Sequence, residues 1–422
     1  MYKSPLNNKR LTLITVFLLL SVFSFFGNAY AATAYKGGKL VNCQFLKEYS
    51  PVQVRDLQSK LTDYVGEKKQ EIAEKCGLPD PDANGIKTYL IEYMTPNYDG
   101  KPVKVSGLLV IPTVKKDVYP VLIYQHGTIL LRSTAPSNLE KSIEGMCAVS
   151  MFAAKGYVVI MPDYIGCGKS NLIHPYMHAD TEASAGADML KASFTACKKL
   201  EINIKPEIFI AGYSQGGQAA MALHRLIEKK YPEQFPIAAS APMSGCYSMT
   251  MLWDLWMAKP CRLSSILTVK LIVAYNAIYN LKLDYAKIFK APYDKNCVSI
   301  NRDLAAGKYK TEKEIFALVP KSLQGLLTTN FVAHINAKKG SLYKALVKNE
   351  TCTWAPSAPT RIYYTTDDEV VPAEEAVYAV NKMKKLGAKN IEAVDAGGGM
   401  THGEAILPIM KLAGEWFESC MK

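Results

Sequence analysis

Residues 207–217 read EIFIAGYSQGG. The first half, Glu207 to Gly212, is a short apolar run of strand-forming residues. The second half places Ser214 between Gly212 and Gly216, and a helical pattern then continues to about Lys230. A strand that turns directly into a helix at a serine holds that serine on constrained, exposed backbone, and only small neighbours let helix and strand approach. A serine hydroxyl becomes an effective nucleophile only when it is presented in this way beside a base. The pentapeptide Gly-x-Ser-x-Gly is weak evidence alone; its place at the end of an apolar strand gives it weight, and Gly217 eases close approach further.

The same alternation extends in both directions. Upstream, residues 86–96 and 100–112 read as two strands joined at Tyr98-Asp99-Gly100, and Tyr119–Gln125 (YPVLIYQ) is a third that ends in His126-Gly127-Thr128. A helix over about 143–155, a strand over 157–162, the loop Asp163-Tyr-Ile-Gly-Cys-Gly-Lys-Ser170 and a helix over 181–200 lead back to Glu207. Downstream come a strand over 237–242 and, after a long interval, strands over 361–366 and 391–395, with helices over 373–386 and 404–418. Continuous apolar strands alternating with helices predict an α/β fold, a mostly parallel sheet with helices on both faces. Ligands of such sheets bind at the carboxyl ends of the strands. The interval 247–355 lacks the alternation and reads as helices over 249–257, 264–283, 313–327 and 333–346, a helical insertion. Its apolar run over 266–283 is interrupted by Lys270, Asn276, Asn280 and Lys282, which argues against a membrane span.

The partners of Ser214 are sought at strand ends. A base late in the chain points to His402, which follows the strand over 391–395 through a Gly-rich loop. An acid able to fix the imidazole tautomer is offered by Asp368 after the strand RIYYTT; Asp367 is its neighbour, and the spacing Asp-x-x-Val-Pro favours Asp368. Two backbone donors for an oxyanion are the N–H of Gln215, at the start of a helix, and the N–H of Thr128, after the third strand. His126 and Asp163 read as residues that shape their loops.

The N-terminus has the form of a secretory signal peptide over 1–31: Lys3, Lys9 and Arg10, an apolar run from Leu11 to Phe26, then Ala29-Tyr30-Ala31 as the cleavage site. Export to the periplasm or medium follows, and with it an expectation that the ten cysteines, all beyond residue 31, form disulfides. None has zinc or redox spacing, so neither metal nor cofactor is expected. The formal charge of +12 falls to +9 without the three basic residues of the signal peptide. Between Cys246 and Cys352 sixteen Lys and Arg stand against seven Asp and Glu, so the whole excess lies in the insertion. That segment either presents a solvated helical face or meets an anionic membrane surface. Nothing points to nucleic acid.

Together YQHGT, PDYIGCGKS, GYSQGG, TTDDEVVP and the late Thr401-His402 resemble the α/β-hydrolase superfamily, in particular secretory lipases and related bacterial esterases, over about 85–246 and 355–420. The resemblance implies Ser214, Asp368 and His402 as a catalytic triad. It also implies a core of residues 32–246 and 356–422 carrying residues 247–355 as a helical cap or lid over a small-molecule or lipid ester. Two other readings use the same residues: a peptidase of the prolyl-oligopeptidase-like or aminopeptidase type, and an inactive surface-binding module. N-terminal sequencing of the exported chain is expected to start at Ala32; a chain starting at Met1 contradicts the signal peptide.

Overall fold

Strand β4 (Tyr119–Gln125) is buried along its whole length, and its side chains alternate between two apolar layers, Val121 and Ile123 in one and Leu122 and Tyr124 in the other. A strand covered on both faces has no polar side, which is why it reads as a continuous apolar run. Around it lie β1 (Leu40–Tyr49), β2 (Ile86–Pro96), β3 (Pro102–Pro112), β5 (Val158–Pro162), β6 (Ile204–Tyr213), β7 (Ile237–Met243), β8 (Thr360–Tyr364) and β9 (Ile391–Asp395). They form one sheet in the order β1-β2-β3-β5-β4-β6-β7-β8-β9. β1, β2, β3 and β5 pair antiparallel in turn, and every pair from β5 to β9 is parallel. This computed structural model describes residues 37–62, 68–261 and 263–421, with Met1; the leader expected over residues 1–31 and its cleavage site fall outside this continuous part.

Helices α1 (Pro51–Thr62), α2 (Lys69–Cys76) and α3 (Ile143–Met151) pack on the Leu122 face. Helices α4 (Ala179–Lys199) and α5 (Gln215–Lys230) cover the Val121 face. The strand order reverses direction at β4: β5 lies on one side of it and β6 on the other. Such a reversal opens a crevice at the carboxyl ends of the strands. Gln125 pairs with Gly212 there, so the loop after β4 and the loop after β6 leave the sheet side by side.

Among the described residues eight helices occupy the stretch between β7 and β8: α6 (Met249–Ala258), α7 (Ser264–Tyr279), α8 (Tyr285–Ile288), α9 (Tyr293–Ala305), α10 (Glu312–Phe316), α11 (Leu323–Leu326), α12 (Thr329–Asn336) and α13 (Gly340–Lys348). They share an apolar cluster of their own, including Leu252, Trp253, Ile266, Ile272 and Phe331. Leu130, Tyr176, Met177, Val370 and Val371, from loops at the strand ends, join the same cluster and tie it to the sheet. Helices α14 (Glu374–Lys385) and α15 (Ile406–Cys420) complete the chain, α14 against β8 and β9 and α15 in the layer of α3.

The helix expected over 264–283 stops at Asn280, which takes a left-handed conformation (φ 47°) as its cap. The one expected over 333–346 is interrupted where Lys338 and Gly340 both have positive φ. The one expected over 313–327 is two short pieces around Pro320. The expected disulfides are not formed: all ten cysteines are free, and eight of them are buried. They pack as small apolar side chains, Cys147 on α3 and Cys197 on the buried side of α4. Burial pushes the thiol of Cys76 up to about 11 and that of Cys167 up to about 12. Among the described residues no helix is long and apolar enough to cross a membrane.

Candidate active site

Ser214 links β6 to α5 with φ 59° and ψ −121°. A non-glycine residue holds such a conformation only when its surroundings enforce it. Its N–H donates to Met243 O at 2.9 Å, and its carbonyl accepts from Gly217 N at 2.8 Å. A Cβ at Gly216 would sit 1.9 Å from Gln125 O, one at Gly212 2.2 Å from Gly216 O, and one at Gly217 2.6 Å from Met243 O. The start of α5 is thus pressed against the backbones of β4 and β7, which only glycine permits.

His402 stands in the loop between β9 and α15. Its Nδ1 lies 2.7 Å from Asp368 Oδ2, with the two side chains 12% and 0% exposed. The other carboxylate oxygen of Asp368 accepts from the N–H groups of Val370 (2.9 Å) and Val371 (2.7 Å), so the acid cannot swing away. Glu369 Oε2 accepts from His402 N at 2.9 Å, and Tyr213, next to the elbow serine, donates its hydroxyl to His402 O at 2.6 Å. Burial lowers the imidazole, but the charge and hydrogen bond of Asp368, helped by Glu369 and Glu144, raise it overall. Asp367 takes a different part: its carboxylate accepts from Gly399 N and pins the Gly-rich loop.

Gln215 begins α5, and its side chain is anchored from behind. Nε2 donates to Glu182 Oε1 at 2.6 Å and faces His174 Nε2 at 2.8 Å, while His174 Nδ1 meets Ile165 O at 2.7 Å. Burial holds Glu182 up to about 8, and burial with the nearby Lys270 holds His174 down to about 3. Both are neutral near pH 7, so two residues of opposite charge type meet the amide as uncharged groups. Neither Glu182 nor His174 was singled out from the sequence, and the only local signal is an acidic residue in the first turn of α4.

The loop after β4 is anchored from both sides. Glu144 Oε2 accepts from Gly127 N and from Tyr124 OH, each at 2.8 Å. Lys270 of α7 donates to Ile129 O at 3.2 Å and lies over the Tyr176 ring at 5.0 Å. Between these anchors Thr128 sits with its hydroxyl 2.9 Å from Tyr176 OH. The ring nitrogens of His126 face Gly127 O and Asp163 O, and the Asp163 carboxylate accepts from Ser106 Oγ (2.6 Å) and Ser137 N (2.9 Å). Both therefore serve loop shape, as the sequence suggested.

Two cavities meet at the elbow. One, of about 250 Å³, is bordered by Ser214, Thr128, His402 and Glu144; the other, of about 20 Å³, by Ser214, Thr128, Gln215, Trp253 and Trp256. Among the described residues no cluster of His, Cys, Asp and Glu could hold a metal ion.

The sheet order, the strand-to-helix elbow and the acid–imidazole pair at neighbouring strand ends define an α/β-hydrolase. The chain belongs to the secretory lipase family, whose model matches residues 135–404, and it is a carboxylic ester hydrolase. The rice cell wall degrading esterase LipA from Xanthomonas oryzae superposes with a TM-score of 0.75 at 26% identity, over 91% of this chain and 96% of that one. A Legionella pneumophila protein superposes with a TM-score of 0.81 at 24% identity, over 91% and 98%. Lipase A of Candida antarctica in its closed state gives 0.63 at 13% identity, over 93% and 85%, a likeness of fold. No match was found among curated proteins.

The buried carboxyl of Glu182 carries a pH signature. Its proton is kept in the folded chain up to about pH 8, whereas unfolding returns it to its ordinary 4.5. Between those values the folded state binds a proton that the unfolded state has lost, so stability falls as pH rises through this window. Glu182→Gln is neutral at every pH, and its melting temperature is expected to fall less than that of the wild type between pH 5 and pH 8. Parallel curves for the two proteins contradict a neutral Glu182.

Proposed function

We propose that the chain is an exported serine esterase or lipase that works through an acyl-enzyme, with Ser214 as nucleophile, His402 as general base and then acid, and Asp368 as the carboxylate that orients His402. The observation that carries this reading is that His402, held by Asp368 at 2.7 Å, borders the same cavity as Ser214. Ser214 Oγ attacks the ester carbonyl while His402 Nε2 takes its proton. The oxyanion is received by the N–H groups of Gln215 and Thr128. As the carbonyl carbon–oxygen bond breaks, the alkoxide takes the proton from His402 and leaves as alcohol. Water then attacks the acyl-enzyme, giving its proton to His402, and the acid departs as the proton returns to Ser214.

In this reading residues 247–355 are the cap that covers the nucleophile. The shared apolar cluster supports it, because the inserted helices pack on the loops that carry Tyr176, Met177 and Val370. The excess of lysine and arginine in that segment suits contact with an anionic surface, where an interfacial ester would be met. Family membership and the apolar leader with its A-x-A site support export. The substrate of LipA, rice cell wall, raises the further reading that esters of a plant polymer are within reach of this site.

Ser214→Ala is expected to lower kcat on p-nitrophenyl acetate by about 10⁴-fold or more, and Asp368→Asn by about 10⁴-fold, with circular dichroism unchanged. A folded Ser214→Ala protein that retains turnover contradicts the assignment.

A further inference from the structure

Ser214 and Thr128 border both cavities, whereas His402 and Gln215 are divided between them. His402 lines the one of about 250 Å³ and is missing from the wall of the other; Gln215 lines the one of about 20 Å³ and is missing from the wall of the first. In acyl transfer the departing alkoxide takes its proton from the base, so the alcohol oxygen lies beside the imidazole. The acyl carbonyl is turned to the N–H donors, and its chain extends on the side away from the base. Resting on the roles assigned above, we propose that the larger cavity takes the alcohol and the smaller one the acyl group, making the substrates esters of short acids with bulky apolar alcohols.

The sizes and walls of the cavities carry the argument. A space of about 20 Å³ admits roughly one water-sized group, which suits the methyl of an acetyl group. Helix α6 closes it with Trp253 and Trp256, each 5% exposed and three residues apart, hence on one side of the helix. Trp256 is fixed, because its indole N–H donates to Val370 O at 2.7 Å, two residues beyond Asp368. The acyl wall and the loop of the triad acid are therefore one packed unit. Trp253 packs edge-on against Phe331, with ring centroids 6.0 Å apart, and its buried indole nitrogen has no hydrogen-bond partner among the described residues. Removing it thus breaks no hydrogen bond. An eight-carbon acid would need these indoles to move out of a filled core, whereas the larger cavity, walled by Leu61, Ile143, Ile406 and Leu407 with Glu144 among them, already has room for an apolar alcohol.

Octyl acetate and ethyl octanoate are isomers of matched hydrophobicity with long and short arms exchanged, and both can be offered in the same detergent micelles. For the wild-type enzyme kcat/KM is expected to be about tenfold or more higher for octyl acetate. Trp253→Ala is expected to narrow that ratio by raising turnover of ethyl octanoate; Trp253→Leu, which keeps more of the core, should shift it the same way if the alanine variant does not fold. Equal rates or a preference for ethyl octanoate in the wild type overturns the proposal, as does an unchanged ratio in a folded Trp253 variant. Ser214→Ala runs beside them: hydrolysis that survives this change defeats the assignment of the nucleophile, whereas Ser214-dependent hydrolysis with the wrong ratio defeats only the division of the cavities.

Discussion

Close backbone contact around Ser214 is the constraint on which the site depends. Three glycines let the first turn of α5 rest against the carbonyls of β4, β7 and the elbow itself, with Gly216 facing Gln125 O and Gly217 facing Met243 O. The positive φ of Ser214 persists because that packing leaves the turn nowhere else to go. The same contact sets Gln215 at a helix start and brings the loop after β4 alongside it, so one steric fact places the proposed nucleophile and both proposed oxyanion donors. Local strain here is offset by a sheet buried on both faces.

Around the elbow the polar groups are held by partners that, apart from the exposed Glu369, are themselves buried or half-buried. Gln215 is anchored through Glu182 and His174, Gly127 through Glu144, Ile129 through Lys270, and His402 through Asp368, Glu369 and Tyr213. Burial shifts several of these groups toward their neutral forms: Glu144 up to about 7, Glu182 up to about 8 and Lys270 down to about 8. His402 moves the other way, because the fixed carboxylate of Asp368 outweighs desolvation. Two backbone N–H groups hydrogen-bond the buried Asp368 carboxylate and share the cost of its burial. Glu144, Glu182 and Lys270 come from α3, α4 and α7, so the inserted helices take part in shaping the loop after β4 through Lys270.

Much of this was legible because it is written in local pattern. YPVLIYQ and EIFIAG are strands buried on both faces, and their ends mark where Thr128 and Ser214 must lie. Asp368 and His402 follow strands in the same manner. What could not be read depends on distant contacts. β1 is an edge strand whose side chains are almost all exposed or half-exposed, so it carries no apolar alternation to find. Glu182, Glu144 and His174 look like ordinary helical or loop residues until folding brings each against its partners around the elbow. Lys270 read as an interruption of an apolar helix; in the fold it hydrogen-bonds the loop after β4. The cysteines show the opposite error, for export suggested cross-links where the fold uses apolar packing.

The central claim is that Ser214 is the nucleophile presented by this elbow. Reaction of the active enzyme with a fluorophosphonate, followed by mass spectrometry of its peptides, tests it directly. The account predicts one phosphonyl adduct, on Ser214, formed in step with loss of esterase activity. Activity lost with the adduct on another residue, or full activity kept after Ser214 is modified, would contradict it.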